Sequence, residues 1–178
     1  MELFEAIESR FSYRGAFKDE KVPREHLRAI VQAGLAAPSG KNMQTPSFVI
    51  ADDPDLLNGI RNAVGGNKPM QSCPALICCI IDKDPEAVYH GHSFQIEDCA
   101  AATENMLLAV TALGYRSVWL DGMLRLESRA ERIGEILGIP ESKKVQILLP
   151  VGAPAEEYPR RGKKPFHERA WFNGWPNE

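Results

Sequence analysis

The chain has 178 residues, 44% hydrophobic and 25% charged, the balance of one ordinary globular domain and not of a disordered or low-complexity segment. Its 21 Lys and Arg against 24 Asp and Glu give a formal net charge of −3, which excludes the general basic footprint of a dedicated nucleic-acid binder. The longest apolar run, Ala75 to Ile81, is far shorter than the roughly 20 residues of a membrane span, and the acidic start Met1-Glu2-Leu3-Phe4-Glu5 does not read as a signal peptide.

In chain order, a short helix is expected from about residue 3, with Phe4 and Ile7 on one face, ending before Gly15. Pro23 stands in the first turn of the next helix. Leu27, Ile30, Val31, Gly34 and Leu35 form its apolar face, and Pro38-Ser39-Gly40 stops it. Phe48 to Ile50 reads as a strand. Asp53-Pro54 opens a helix with Leu56, Leu57 and Ile60 as buried positions, and Gly65-Gly66-Asn67 is a loop. Ala75 to Ile81 reads as a central strand, apolar on both faces. A long helix is expected over about Phe94 to Leu113, its buried stripe being Ile96, Cys99, Ala100, Thr103, Met106, Leu107 and Val110. Apolar and small residues on more than one of its faces imply a second packing partner, and Asp98 and Glu104 are assigned to its solvated or interface face. Ser117 to Leu120 is expected as a third strand, Ala130 to Leu137 as a helix closed by Gly138, and Val145 to Val151 as a fourth strand. Cys73, Cys78, Cys79 and Cys99 make no CxxC pair, which points to reduced thiols and a cytoplasmic protein. The tail from Gly152 is rich in Pro and charge and ends in Trp171-Phe172 and Trp175, aromatics that imply docking. No repeat or composition shift marks a second domain, so the reading is one α+β or three-layer domain.

Four segments carry candidate chemistry. Arg10-Phe11-Ser12-Tyr13-Arg14 offers forked donors and a hydroxyl that match phosphate oxygens; alternatively, Arg10 complements a helix end and Arg14 is solvated. Pro38-Ser39-Gly40-Lys41-Asn42-Met43-Gln44 offers backbone and amide groups that can read the edge of a heteroaromatic ring, or is a polar connection. Leu120-Asp121-Gly122 ends a strand in a turn where glycine lets the backbone approach a ligand, or is an ordinary strand exit. Arg160-Arg161-Gly162-Lys163-Lys164 puts four cations in five residues, a grip for phosphate or a solvated tail. His90-Gly91-His92 with Glu97 has no zinc spacing, so no metal is expected. There is no dinucleotide fingerprint, P-loop or nucleophile elbow.

In this order the four segments resemble the FMN-dependent nitroreductase family over nearly the whole chain. The stretch Asp98…Asn105-Met106-Leu107-Leu108-Ala109…Leu113-Gly114, leading to Val118-Trp119-Leu120-Asp121-Gly122, strengthens the resemblance. It implies a three-layer α/β/α arrangement of α+β class, with a mixed or mainly antiparallel central sheet, in a single domain over 1–178. It implies a homodimer with FMN at the subunit interface and a tail from about residue 153 that docks on the partner. Arg10, Ser12, Arg161 and Lys163 would surround the FMN phosphate and ribityl chain, with Arg14 near the pyrimidine end of the flavin. Pro38, Ser39, Gly40 and Asn42 would come from the partner subunit, and Leu120, Asp121 and Gly122 would present backbone to the flavin N5 side. The implied activity is hydride transfer from NAD(P)H through FMN to a small acceptor such as a nitroaromatic or quinone. Arg14 would act as an electrostatic stabiliser, and no side-chain nucleophile is needed. The rival class is a non-catalytic flavin-binding or regulatory module. Neither nucleic acid nor membrane is expected as a partner. Thr45-Pro46-Ser47 follows Gln44 where many members have Pro-Trp, and the short chain leaves little sequence for a substrate-pocket insertion.

Overall fold

One strand sets the layering. In the structure, a computed structural model that describes residues 1–65 and 67–176, β2 (Ala75–Asp82) is the middle of a three-stranded antiparallel sheet. Its neighbours are β1 (Ser47–Ala51) and β3 (Lys143–Val151). Cys78 stands opposite Val49 on one side and Leu148 on the other, and the register with β3 shifts at a bulge between Cys79 and Ile80. Successive side chains of a strand point to opposite faces. Leu76, Cys78 and Ile80 therefore meet Leu57 and Ile60 of α3 (Pro54–Val64) and Ile133 of α6 (Arg129–Ile136). Ala75, Ile77, Cys79 and Ile81 meet Leu27 and Ile30 of α2 (Arg24–Leu35) and Cys99, Met106 and Val110 of α5 (Gln95–Ala112). Two core layers on two sheet faces explain why β2 is apolar from Ala75 to Ile81, and each fully buried Ile or Leu contributes about 1.5–3 kcal/mol. The molecule is an α+β fold in the expected α/β/α order.

Local signals place several ends. Asp53 caps α3, its Oδ1 accepting from the N–H groups of Asp55 and Leu56 at 3.0 Å each. Asn67, at the end of the expected Gly65-Gly66-Asn67 loop, likewise caps α4 (Lys68–Ser72), a short helix for which no expectation was made; Gly66 lies outside the described residues. Gly34 lets α2 cross α5 closely, since a Cβ there would lie 2.8 Å from Met106 Cγ. α1 (Leu3–Ser9) packs against α5.

Several expectations are corrected. Ser117 to Leu120 forms no strand; isolated antiparallel bridges flank it at Arg116–Gly152 and close it at Leu120–Leu148. That register sets Val118 opposite Pro150, which has no N–H to donate, so the middle rung of the ladder is missing. Leu35 of α2 and Ile96 of α5, expected on buried faces, are exposed, while Leu56 and Ala100 are half-buried; the α1 face that carries Phe4 and Ile7 is exposed. Asp98, assigned to a solvated or interface face, is buried.

Candidate functional site

The two ends of the chain converge next to the sheet. α1 stops at Ser9, and Arg10 continues in extended backbone. Ser12 forms a parallel bridge with Ser117, and the Tyr13 N–H donates to the Ser117 carbonyl at 2.9 Å. Tyr13 is buried; its hydroxyl donates to the Ala16 carbonyl at 2.6 Å, and its ring meets the Tyr158 ring edge-on at 5.8 Å. Glu156 fastens the same junction. Its Oε1 accepts from the Ala16 N–H at 2.9 Å and from Lys68 Nζ at 2.5 Å. The Lys68 ammonium, helped by that N–H, holds the Glu156 carboxyl below the usual glutamate range. The C-terminal segment is thus carried past the first one. Arg10, Phe11, Ser12, Arg14, Tyr158, Pro159, Arg160, Arg161 and Lys163 line one cleft of about 190 Å³.

Five of those side chains are cationic, in a chain whose net charge is −3. Among the described residues, only Arg10 of the five has an acidic partner, with Nε 3.0 Å from Glu104 Oε1. Like charges around one concavity repel unless an anion joins them, and forked guanidinium donors suit a phosphate monoester of about two negative charges. Arg116 stacks over the Phe11 ring at 5.5 Å and orders the cleft's apolar wall. Ser117, paired with Ser12 behind the cleft wall, keeps a buried Oγ with no partner among the described residues.

The structure brings Arg10, Ser12, Arg14, Arg161 and Lys163 together. It does not bring Pro38, Ser39, Gly40, Asn42, Leu120, Asp121 or Gly122 into that cleft. Pro38 and Ser39 line a separate small cavity with Gln44, Phe48 and Asp98. Gly40 and Asn42 bound a tight turn where Lys41 and Asn42 have φ of 48° and 58°. Leu120 is buried and bridges Leu148, while Asp121 Oδ2 lies 3.4 Å from Arg125 Nη2. A Cβ built on Gly122 meets nothing within 4 Å, so the space beside its backbone is open. Tyr158 is the lining residue that sequence reasoning left out, and no local signal marked it; Arg160 stood in the cationic segment but was not among the residues assigned to the flavin. His90 and His92 lie in an exposed turn closed by backbone bonds between Tyr89 and His92. Among the described residues no group of three or more His, Cys, Asp or Glu could hold a metal ion. The four cysteines are unpaired and buried; burial pushes the Cys73 thiol up to about 11 and that of Cys78 higher still.

Helices on both faces of an antiparallel sheet, with a cationic cleft between the chain's first and last segments, define an α+β protein with one concavity of concentrated positive charge. The chain belongs to the nitroreductase family, which it matches over residues 7–69 and 61–153. It is 34% identical over 158 residues to a provisionally named NADH dehydrogenase/NAD(P)H nitroreductase of Archaeoglobus fulgidus, covering 88% of this chain and 87% of that protein. It is 28% identical over 172 residues to the NADPH-flavin oxidoreductase of Vibrio harveyi, covering 90% of this chain and 70% of that one. The solved FMN-dependent nitroreductase of Clostridium difficile matches with a TM-score of 0.81 at 26% identity, covering 97% of this chain and 99% of its own. The protein is an oxidoreductase. No helix among the described residues is long and apolar enough to cross a membrane.

Proposed function

We propose that the chain is an FMN-dependent oxidoreductase that draws hydride from NAD(P)H and delivers reducing equivalents to a small acceptor such as a nitroaromatic or quinone. The observation that carries this reading is the cleft of five cations around Ser12, whose charge suits a flavin mononucleotide phosphate. FMN, when bound, supplies hydride and electron-carrier chemistry that no side chain of the site provides. Arg10, Ser12, Arg160, Arg161 and Lys163 would hold its phosphate and ribityl chain. Arg14 would set a fixed positive charge where negative charge develops. The backbone at Leu120, Asp121 and Gly122 would face the ring, and the open space beside Gly122 suits that close approach.

Pro38, Ser39, Gly40 and Asn42 lie outside the cleft of their own chain, so a second copy would complete the site in a homodimer. The exposed apolar surface agrees with this. Phe4 of α1 is 76% exposed, and Phe172 and Trp175 of the tail are 83% and 79% exposed. A tail from about residue 153 that wraps the partner would cover these rings, since aromatics favour interfaces. Unpaired buried thiols suit a reducing compartment such as the cytoplasm. Sedimentation velocity followed in the protein and flavin absorption bands tests the shared site. FMN is expected to travel with a dimer, about one per chain; a stable monomer carrying a full complement of FMN contradicts it.

A further inference from the structure

Residues 39–45 keep an unusual shape although none of their side chains enters either core layer. None of the Gly40–Asn42 turn is buried, yet Lys41, Asn42 and Gln44 all adopt left-handed backbone, with φ of 48°, 58° and 51°. Residues with a Cβ resist that conformation, and a short run of them persists only where its surroundings over-determine it. The surroundings here centre on one side chain. Asp98, on α5, is 5% exposed. Its Oδ1 accepts from the Gly40 N–H at 2.8 Å, and its Oδ2 accepts from the Thr45 hydroxyl at 2.8 Å. One carboxylate therefore spans both ends of the turn. Ser39 Oγ closes the loop by accepting from the Gln44 N–H at 2.9 Å. The fit is tight, because a Cβ on Gly40 would lie 2.7 Å from Phe94 Cδ2.

Among the described residues no Lys, Arg or His forms an ion pair with Asp98. Neutral donors and the positive end of the α5 dipole support its charge instead. A buried carboxylate is a costly way to hold an exposed turn that adds nothing to either core layer. Such an arrangement is expected where the shape of the turn, and not the stability of the fold, is what is kept.

We propose that Asp98 is a positioning residue for the flavin site: it fixes Ser39 to Gln44 in the form with which that segment reaches the flavin of the partner subunit. This inference rests on the functional reading above. Asp98→Ala removes both acceptors. Asp98→Asn keeps an oxygen for the Gly40 N–H and turns an amide donor toward the Thr45 hydroxyl oxygen.

Apoprotein of each variant is titrated with FMN, and the visible spectrum of the bound flavin is recorded with the melting temperature. D98A is expected to raise the FMN Kd about tenfold or more, the size of one lost charge-assisted hydrogen bond, and to shift the bound flavin's bands. D98N is expected to restore most of both, a rescue that a merely structural change in melting temperature would not produce. A folded D98A protein with the wild-type Kd and spectrum overturns the proposal. Should D98A fail to fold, Thr45→Val, which removes one of the two bonds, is read by the same criteria. Wild-type protein that takes up no FMN refutes the flavin reading itself; wild-type uptake with an indifferent D98A refutes only the role of Asp98.

Discussion

Replacing Arg10 by alanine separates recognition of a phosphate from recognition of a flavin ring. Arg10 shares the cleft with Ser12, Arg14, Arg160, Arg161 and Lys163, and its Nε lies 3.0 Å from Glu104 Oε1. A charge-assisted hydrogen bond to phosphate contributes about 1.5–3 kcal/mol, equivalent to roughly 10- to 150-fold in affinity. Glu104 competes for one edge of the guanidinium and four other cations remain, so the lower end applies, about a tenfold weaker FMN complex. Glu104→Gln should act in the opposite direction but weakly, because its half-exposed carboxylate is screened by solvent. Quenching of flavin fluorescence by apoprotein measures both effects, with riboflavin titrated in parallel. Arg10→Ala is expected to weaken FMN and leave riboflavin unchanged. Equal losses for the two flavins, or no loss for FMN, would refute the phosphate role and leave Arg10 as a helix-end cation paired with Glu104.

Ile77→Ala opens a cavity between β2 and the α2–α5 layer and should cost about 2–5 kcal/mol, read from the urea midpoint; a loss below about 1 kcal/mol would mean the layer repacks freely. Glu156 is held below its usual range, so its contribution to stability is present above the ordinary glutamate pKa and is lost as pH falls through the lowered folded value. Glu156→Gln should therefore flatten the acid limb of the melting-temperature profile, and an unchanged limb would contradict the Lys68–Glu156–Ala16 junction. With Cys73 at about 11 and all four thiols buried, Ellman's reagent should titrate them only as the protein unfolds; rapid reaction of the native protein would contradict the packing.

The layering was legible because its signals are local. β2 lacks polar alternation and so needs cover on both faces; Leu27, Ile30 and Gly34 share one helix face; Asp53 before Pro54 caps a helix. The missing strand at Ser117 to Leu120 was not legible, because Pro150 interrupts it from another part of the chain. Phe4, Ile7 and Ile96 show a further limit: periodicity says which residues share a face, not what covers it. The cationic segments were readable as motifs. Their meeting depends on Tyr13 and Glu156, 143 residues apart, whose contact no local pattern encodes. Asp98 was assigned to a solvated or interface face of its helix. Its two donors come from residues 58 and 53 positions earlier, which only the folded chain reveals.

Anaerobic stopped-flow mixing of the FMN-loaded protein with NADH and with NADPH tests the proposed activity most directly. At least one nucleotide is expected to bleach the flavin band completely, and a quinone or nitroaromatic added afterwards should restore it. A bound flavin that neither nucleotide reduces would contradict the oxidoreductase reading and leave a flavin-binding module in its place.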